Sequence, residues 1–207
     1  VDPYSVKPVD SKDFADYLAG AMKIKSQPTR ERLPFFFSYL DHADLTVSQD
    51  AYTEFAAAPY KDVKSAAAGF DADNIVRWLN DRKTEPYRMG LYGLLLGICG
   101  KPADKQILMN ILSDPKKRPI SGVDGILGGL CVLDPKGGPD YVLNVLVDGA
   151  NDFNYRYSAL RTVKFLLSDM EGIDRDEIFK RMIPAIKIKD ISDLIIDEFR
   201  KNKNWSP

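Results

Sequence analysis

Arg88-Met89-Gly90-Leu91-Tyr92-Gly93-Leu94-Leu95-Leu96-Gly97-Ile98-Cys99 is the stretch that decides how this chain folds. Its glycines stand three and four residues apart, a spacing that returns to one face of an α-helix, and bulky apolar residues fill the positions between them. The pattern recurs 32 residues later, where Gly90, Gly93, Leu95, Gly97 and Cys99 become Gly122, Gly125, Leu127, Gly129 and Cys131. Each helical glycine costs up to about 1 kcal/mol relative to alanine. Two matched rows therefore predict helices whose backbones approach closely.

The turns around these helices keep a similar period. Leu79-Asn80-Asp81, Leu112-Ser113-Asp114 and Leu146-Val147-Asp148 follow one another at steps of 33 and 34 residues, and Leu40-Asp41 lies 39 before the first. Arg88 and Arg156 open helices 68 residues apart, about two units, and Tyr52 and Tyr92 stand 40 apart. Between the Asp, Pro, Gly and Lys clusters lie apolar stretches of about 10 to 15 residues, the length of a short globular helix. Alternating apolar and polar residues are nowhere sustained, so the chain reads as all-α. Self-similarity at this period marks an array of helix–turn–helix units that stack to share one core.

Toward the N-terminus, Ser11 is placed to cap a helix with Phe14, Tyr17, Leu18 and Met22 on its apolar face. Thr29 opens the next, striped by Leu33, Phe36, Phe37 and Leu40. Phe35-Phe36-Phe37 needs covering on two sides, and residues 60–70 draw out the second unit into irregular helices. At the other end Asp174 with Glu177 forms a helix-start signal, and residues 191–199 predict a helix with Leu194, Ile195 and Ile196 inward. The expected organisation is a one-helix lead-in over 1–28 and an array of about five helix pairs over 29–207.

The composition suits such a fold. In 207 residues, 29 Lys and Arg oppose 30 Asp and Glu, for a formal charge of −1, and 44% are hydrophobic, enough for a core without disulfide, metal or cofactor. Balanced charge argues against nucleic acid as a partner, and no apolar run reaches the roughly 18 residues of a membrane-spanning helix. Val1-Asp2-Pro3 at the start suggests an excised piece or a processed product.

Catalytic patterns are sparse. His42 is the only histidine, with no GxSxG to join; Asp41, His42 and Asp44 crowd one turn and read as helix punctuation, not a metal site. Asp71 with Asp73, and Asp174 with Asp176 and Glu177, stand where helices begin and complement their dipoles. Lys116-Lys117-Arg118 and Arg200-Lys201-Lys203 read as solvated turns. Cys99 and Cys131 lie in apolar helical patterns; equivalent positions in stacked helices stand about 8 to 10 Å apart, beyond disulfide reach, so both should stay reduced.

Segments 50–56, 88–97 and 156–161 resemble HEAT-like repeats. With Phe36-Phe37-Ser38-Tyr39-Leu40 and Asp124-Gly125-Ile126-Leu127 they look more narrowly like an uncharacterised group of HEAT-like proteins of planctomycete-type bacteria. The resemblance spans nearly the whole chain. It implies a right-handed α-α superhelix, a HEAT/ARM-like solenoid, placed in the cell envelope or outside the cytoplasm and often part of a longer polypeptide, with no catalytic motif. Arg200 to Pro207 reads like the turn into a further unit, hence a truncated array; the alternative is a true end with Trp205 folded back as a cap.

Three functional expectations follow. The leading one is a non-enzymatic scaffold whose curved surface binds a protein or peptide, with Tyr52, Trp78, Tyr87, Arg88, Tyr155 and Arg156 as candidate contacts, because aromatic residues and arginine anchor interfaces. A second is a structural spacer or regulatory portion of a larger envelope protein. The third draws on HEAT-like DNA glycosylases and would combine Trp78, Tyr87, Arg88 and Asp81 around a damaged base, against the charge balance.

Overall fold

The computed structural model describes residues 12–202. Among them the chain forms twelve α-helices and no strand, so it is all-α. It divides into two compact units, residues 1–70 and 71–207. The boundary expected after residue 28 falls inside the first unit, because the helix before it packs on the helix after it. Ser11, Lys203 and Trp205 lie outside the described residues.

The first unit contains α1 (Lys12–Ile24), α2 (Thr29–Phe37), α3 (Leu45–Ala57) and α4 (Tyr60–Ser65), followed by a 3₁₀ turn at Ala67–Gly69. α2 is its hub, touched by α3, α4 and the 3₁₀ turn. Leu33, Phe36, Phe37 and Leu40 are all buried. The phenylalanine tract is covered from two directions: Phe35 stacks on Tyr17 of α1 with ring centroids 5.8 Å apart, and Phe37 stacks on Phe70 at 5.0 Å. Phe35 also lies over Gly20, where a Cβ would stand 2.6 Å from the ring. The Tyr17 hydroxyl donates to Asp50 of α3 at 2.5 Å. This contact sets the inward face of α1 at Phe14, Tyr17 and Gly20, so Leu18 and Met22 turn outward, 41% and 74% exposed, contrary to the sequence expectation.

The second unit contains α5 (Ala72–Asn80), α6 (Pro86–Cys99), α7 (Lys105–Ser113), α8 (Val123–Leu133), α9 (Gly137–Val147), α10 (Phe153–Asp169), α11 (Arg175–Met182) and α12 (Ser192–Lys201). Here the two glycine rows meet. A Cβ on Gly90 would lie 2.6 Å from the carbonyl oxygen of Gly122, one on Gly93 2.7 Å from Cα of Ile126, and one on Gly97 2.5 Å from Cα of Gly129. Real Cβ atoms do not tolerate such distances, so only glycine permits this approach. Because Gly90 meets Gly122 and Gly97 meets Gly129, α6 and α8 run parallel, and the sequence repeat is also the contact register. Gly122 has φ +78°, a left-handed conformation that lets the chain turn abruptly into α8.

The same direction persists down the chain. Thr162 of α10 donates to the Asp124 carbonyl at 3.1 Å, and Phe165 lies against Gly128 one turn further along both helices. Arg156 of α10 pairs with Asp190, just before α12, and Lys164 pairs with Glu198 of α12 at 3.1 Å. Thus α6, α8, α10 and α12 follow one another in parallel, while α7 and α9 return the chain between them.

At the C-terminal end Asp174 accepts the Glu177 N–H at 3.0 Å, as its pattern predicts. In α12 the expectation of three consecutive inward residues is corrected. Ile195 is buried together with Ile191 and Phe199, whereas Leu194 and Ile196 are 36% and 44% exposed. Successive helical residues are rotated by about 100°, so residues four apart share the inward face and immediate neighbours do not.

Gly129→Ala should cost about 1–3 kcal/mol, the usual range for overpacking, since its Cβ would strike the Gly93 carbonyl oxygen. Gly149→Ala, with no atom within 4 Å of the added carbon, should be neutral or slightly stabilising. Urea unfolding midpoints of the two variants check the contrast.

Candidate functional site

The Leu-x-Asp endings close three helices of the second unit, and the first of them, Leu79-Asn80-Asp81, lines a groove. Leu79, Leu112 and Leu146 are buried at the ends of α5, α7 and α9. Two residues later Asp81, Asp114 and Asp148 stop each helix, and each carboxylate accepts the N–H two residues on, from Lys83, Lys116 and Ala150, at 2.9 Å. These are Asx turns, in which a short carboxylate replaces the next helical acceptor. The first and third turns share a further lock: Thr84 Oγ1 donates to the Trp78 carbonyl at 2.7 Å, and Asn151 Nδ2 to the Val145 carbonyl at 3.1 Å.

Between the turn after α5 and the turn after α7 lies an open groove of about 650 Å³. Its apolar lining comes from Leu79, Pro86, Met89, Ile107, Ile111 and Pro119. Arg82, Lys116 and Lys117 are exposed in the same lining, and Asp81 is the one carboxylate among them. Asp81 is already turned back onto the Lys83 N–H. Lys117 stands 3.9 Å from Asp114, an exposed pair of little energetic weight. The third residue of the basic cluster behaves differently, since Arg118 lies over the Tyr155 ring at 3.9 Å and is tied to α10.

The six candidate contact residues fall in different surroundings. Tyr52 is half-buried on α3 of the first unit, and Tyr87 is 38% exposed at the start of α6. Trp78, Arg88, Tyr155 and Arg156 are buried. Trp78 packs on Tyr92 with centroids 4.9 Å apart, and Arg88 Nε donates to the Tyr87 hydroxyl at 3.1 Å. The Tyr155 hydroxyl reaches the Leu112 carbonyl at 3.3 Å and the Tyr141 hydroxyl at 2.9 Å, so α10 closes the end of α7. The Arg156 guanidinium donates to the Asn151 carbonyl and to Asp190, bracing the turn before α10 against the segment before α12. In the grouping that the glycosylase alternative requires, Trp78 and Arg88 are buried, while Asp81 and Tyr87 are exposed.

Among the described residues no group of three or more His, Cys, Asp or Glu is arranged to hold a metal ion. His42 Nδ1 accepts the Asp44 N–H at 3.1 Å, and Asp44 in turn caps α3 through the Thr46 N–H at 2.8 Å. Cys99 and Cys131 are free thiols. Burial pushes the Cys99 thiol up to about 11 and the Cys131 thiol up to about 12. No helix among the described residues is long and apolar enough to cross a membrane.

Sequence reasoning placed Asp81 and the Lys116-Lys117 pair but not the groove they share. Met89 was not singled out within its glycine-rich stretch, Ile107 and Asn110 carried no motif, and the matching Leu-x-Asp endings of α5 and α7 were the available signal. No family model matches the chain, and no curated protein or solved structure is significantly similar to it.

Two outcomes follow from these contacts. Tyr155→Phe should lower stability by about 1 kcal/mol, the net value of a hydrogen bond lost to a buried carbonyl, as read by thermal or urea unfolding. The thiols bind protons more tightly folded than unfolded, where a free thiol titrates near 8.5. Their stabilisation is therefore complete below that value and is lost as pH rises toward 11 and 12. A Cys99→Ser/Cys131→Ala variant should lose less stability than the parent between about pH 8 and about pH 10.

Proposed function

We propose that the chain is a non-enzymatic HEAT-like repeat scaffold, a right-handed α-α superhelix of about five helix pairs, that binds a protein or peptide partner. Support for the repeat reading comes from the parallel succession of α6, α8, α10 and α12 and from the three matching Asx turns. In such arrays each helix pair buries its faces only against its neighbours, and the turns on one side collect into an extended surface.

The observation that carries the binding reading is the groove between the turns after α5 and α7. Its volume, its aliphatic walls and its charged mouth match the general form of a recognition site, with apolar surface for affinity and a few polar groups for orientation. Partner contact then falls on the exposed residues within 79–89 and 107–119, with Trp78 packed on Tyr92 and Tyr155 bonded to the Leu112 carbonyl behind that surface.

Selection of a random-peptide display library on the immobilised chain, followed by hydrogen exchange with the enriched peptides, tests this. The expected result is enrichment with new protection confined to 79–89 and 107–119. Absence of enrichment, or protection only elsewhere, would overturn the groove as the binding site.

A further inference from the structure

Resting on the peptide-binding reading, we infer that the groove selects an extended acidic segment of another protein, with an aliphatic residue seated between the turns and carboxylates on either side of it. The argument is charge complementarity joined to shape. Three cations, Arg82, Lys116 and Lys117, stand in one mouth, where Asp81 is the one carboxylate of the lining and Asp114 stands beside Lys117 at 3.9 Å as an exposed, weak pair. They contrast with a chain whose formal charge is −1. Asp81 Oδ1 already accepts the Lys83 N–H, and this hydrogen bond fixes the carboxylate in its own turn. An incoming anionic segment meets a locally positive rim, which steers its approach and fixes its register.

The floor determines what the segment carries between its charges. Leu79, Ile107 and Ile111 are branched aliphatic residues, and Met89 adds a flexible thioether that adapts to an inserted side chain. Ile120, 92% exposed, follows the groove-lining Pro119 and extends the aliphatic character of the same loop. None of the lining residues is aromatic. That separates this site from a single-strand nucleic-acid channel, where bases stack on aromatic rings along a basic track. Three cations also neutralise few phosphates, and affinity for a polyanionic backbone grows with that number. A leucine or isoleucine flanked by glutamate or aspartate satisfies both halves of the groove.

Fluorescence anisotropy tests the inference with three short fluorescein-labelled peptides of one design, a central leucine flanked by glutamates, by glutamines or by lysines, and with a labelled single-stranded oligonucleotide. The glutamate peptide should bind the full chain at least about tenfold more tightly than the glutamine peptide, and its affinity should fall as salt rises. Lys116→Glu/Lys117→Glu should abolish that preference while leaving the circular dichroism spectrum and unfolding midpoint unchanged, because only exposed side chains are altered. Asn110→Trp, which fills the groove from α7, should block all three peptides. If the glutamine or lysine peptide binds as well as the glutamate peptide and Asn110→Trp blocks it, the acidic inference falls while the peptide groove stands. If no peptide binds, or binding survives Asn110→Trp, the groove reading falls with it. Tighter binding of the oligonucleotide than of the glutamate peptide, lost in the charge-reversed variant, would overturn the inference in favour of nucleic acid.

Discussion

The backbone contact between α6 and α8 is the constraint around which the second unit is arranged. With Gly90 against Gly122 and Gly125, Gly97 against Gly129, and Gly93 against Ile126 and Gly129, the two backbones come close enough that a Cβ at any of the glycines would clash. Close-packed interiors tolerate little change in volume, so this line permits one register. That register is parallel, and a parallel pair cannot be joined by a short loop. The chain must travel back along α7 before α8 begins, which is why a helix and two turns intervene between equivalent glycines.

Once the parallel register exists, the turns inherit its period. α5, α7 and α9 each end on a buried leucine and an aspartate that folds onto its own backbone, so Asp81, Asp114 and Asp148 hold their carboxylates in turn geometry. Other acidic residues serve helix starts: Asp44, Asp71, Asp152 and Asp174 cap helices through the N–H groups of the first turn. The groove lies between two such turns. Its basic mouth collects Arg82, Lys116 and Lys117, all exposed, around Asp81, which is held by the Lys83 N–H, with Asp114 beside Lys117.

Arginines and tyrosines near the helix starts illustrate how residue type and residue position diverge. Arg156 and Tyr155 have the chemistry of interface anchors, and in this fold the same donors reach the Asn151 carbonyl in the turn before α10 and the Leu112 carbonyl in the last turn of α7. The C-terminal end of a helix exposes unpaired carbonyls, and Tyr155 of α10 closes one of them at the end of α7. Arg118 does related work through its contact with the Tyr155 ring.

Helical content, the glycine contact, the Leu-x-Asp turns and the Asp174 cap were all legible in the sequence, because each depends on spacing along a helix or on a turn's own residues. The inward faces of α1 and α12 were not, since Leu18 and Met22 are as apolar as Phe14 and Tyr17, and only the fit of Phe35 over Gly20 selects one pair. The groove was equally hidden: Met89 and Ile107 lie on different helices and meet only through the α6–α8 register. The sequence by itself determined an all-α chain with period-matched turns, for helical periodicity and turn chemistry are local. Which side chains remain outside, and which join across the stack, only the tertiary structure decided, because that depends on how closely two distant backbones approach.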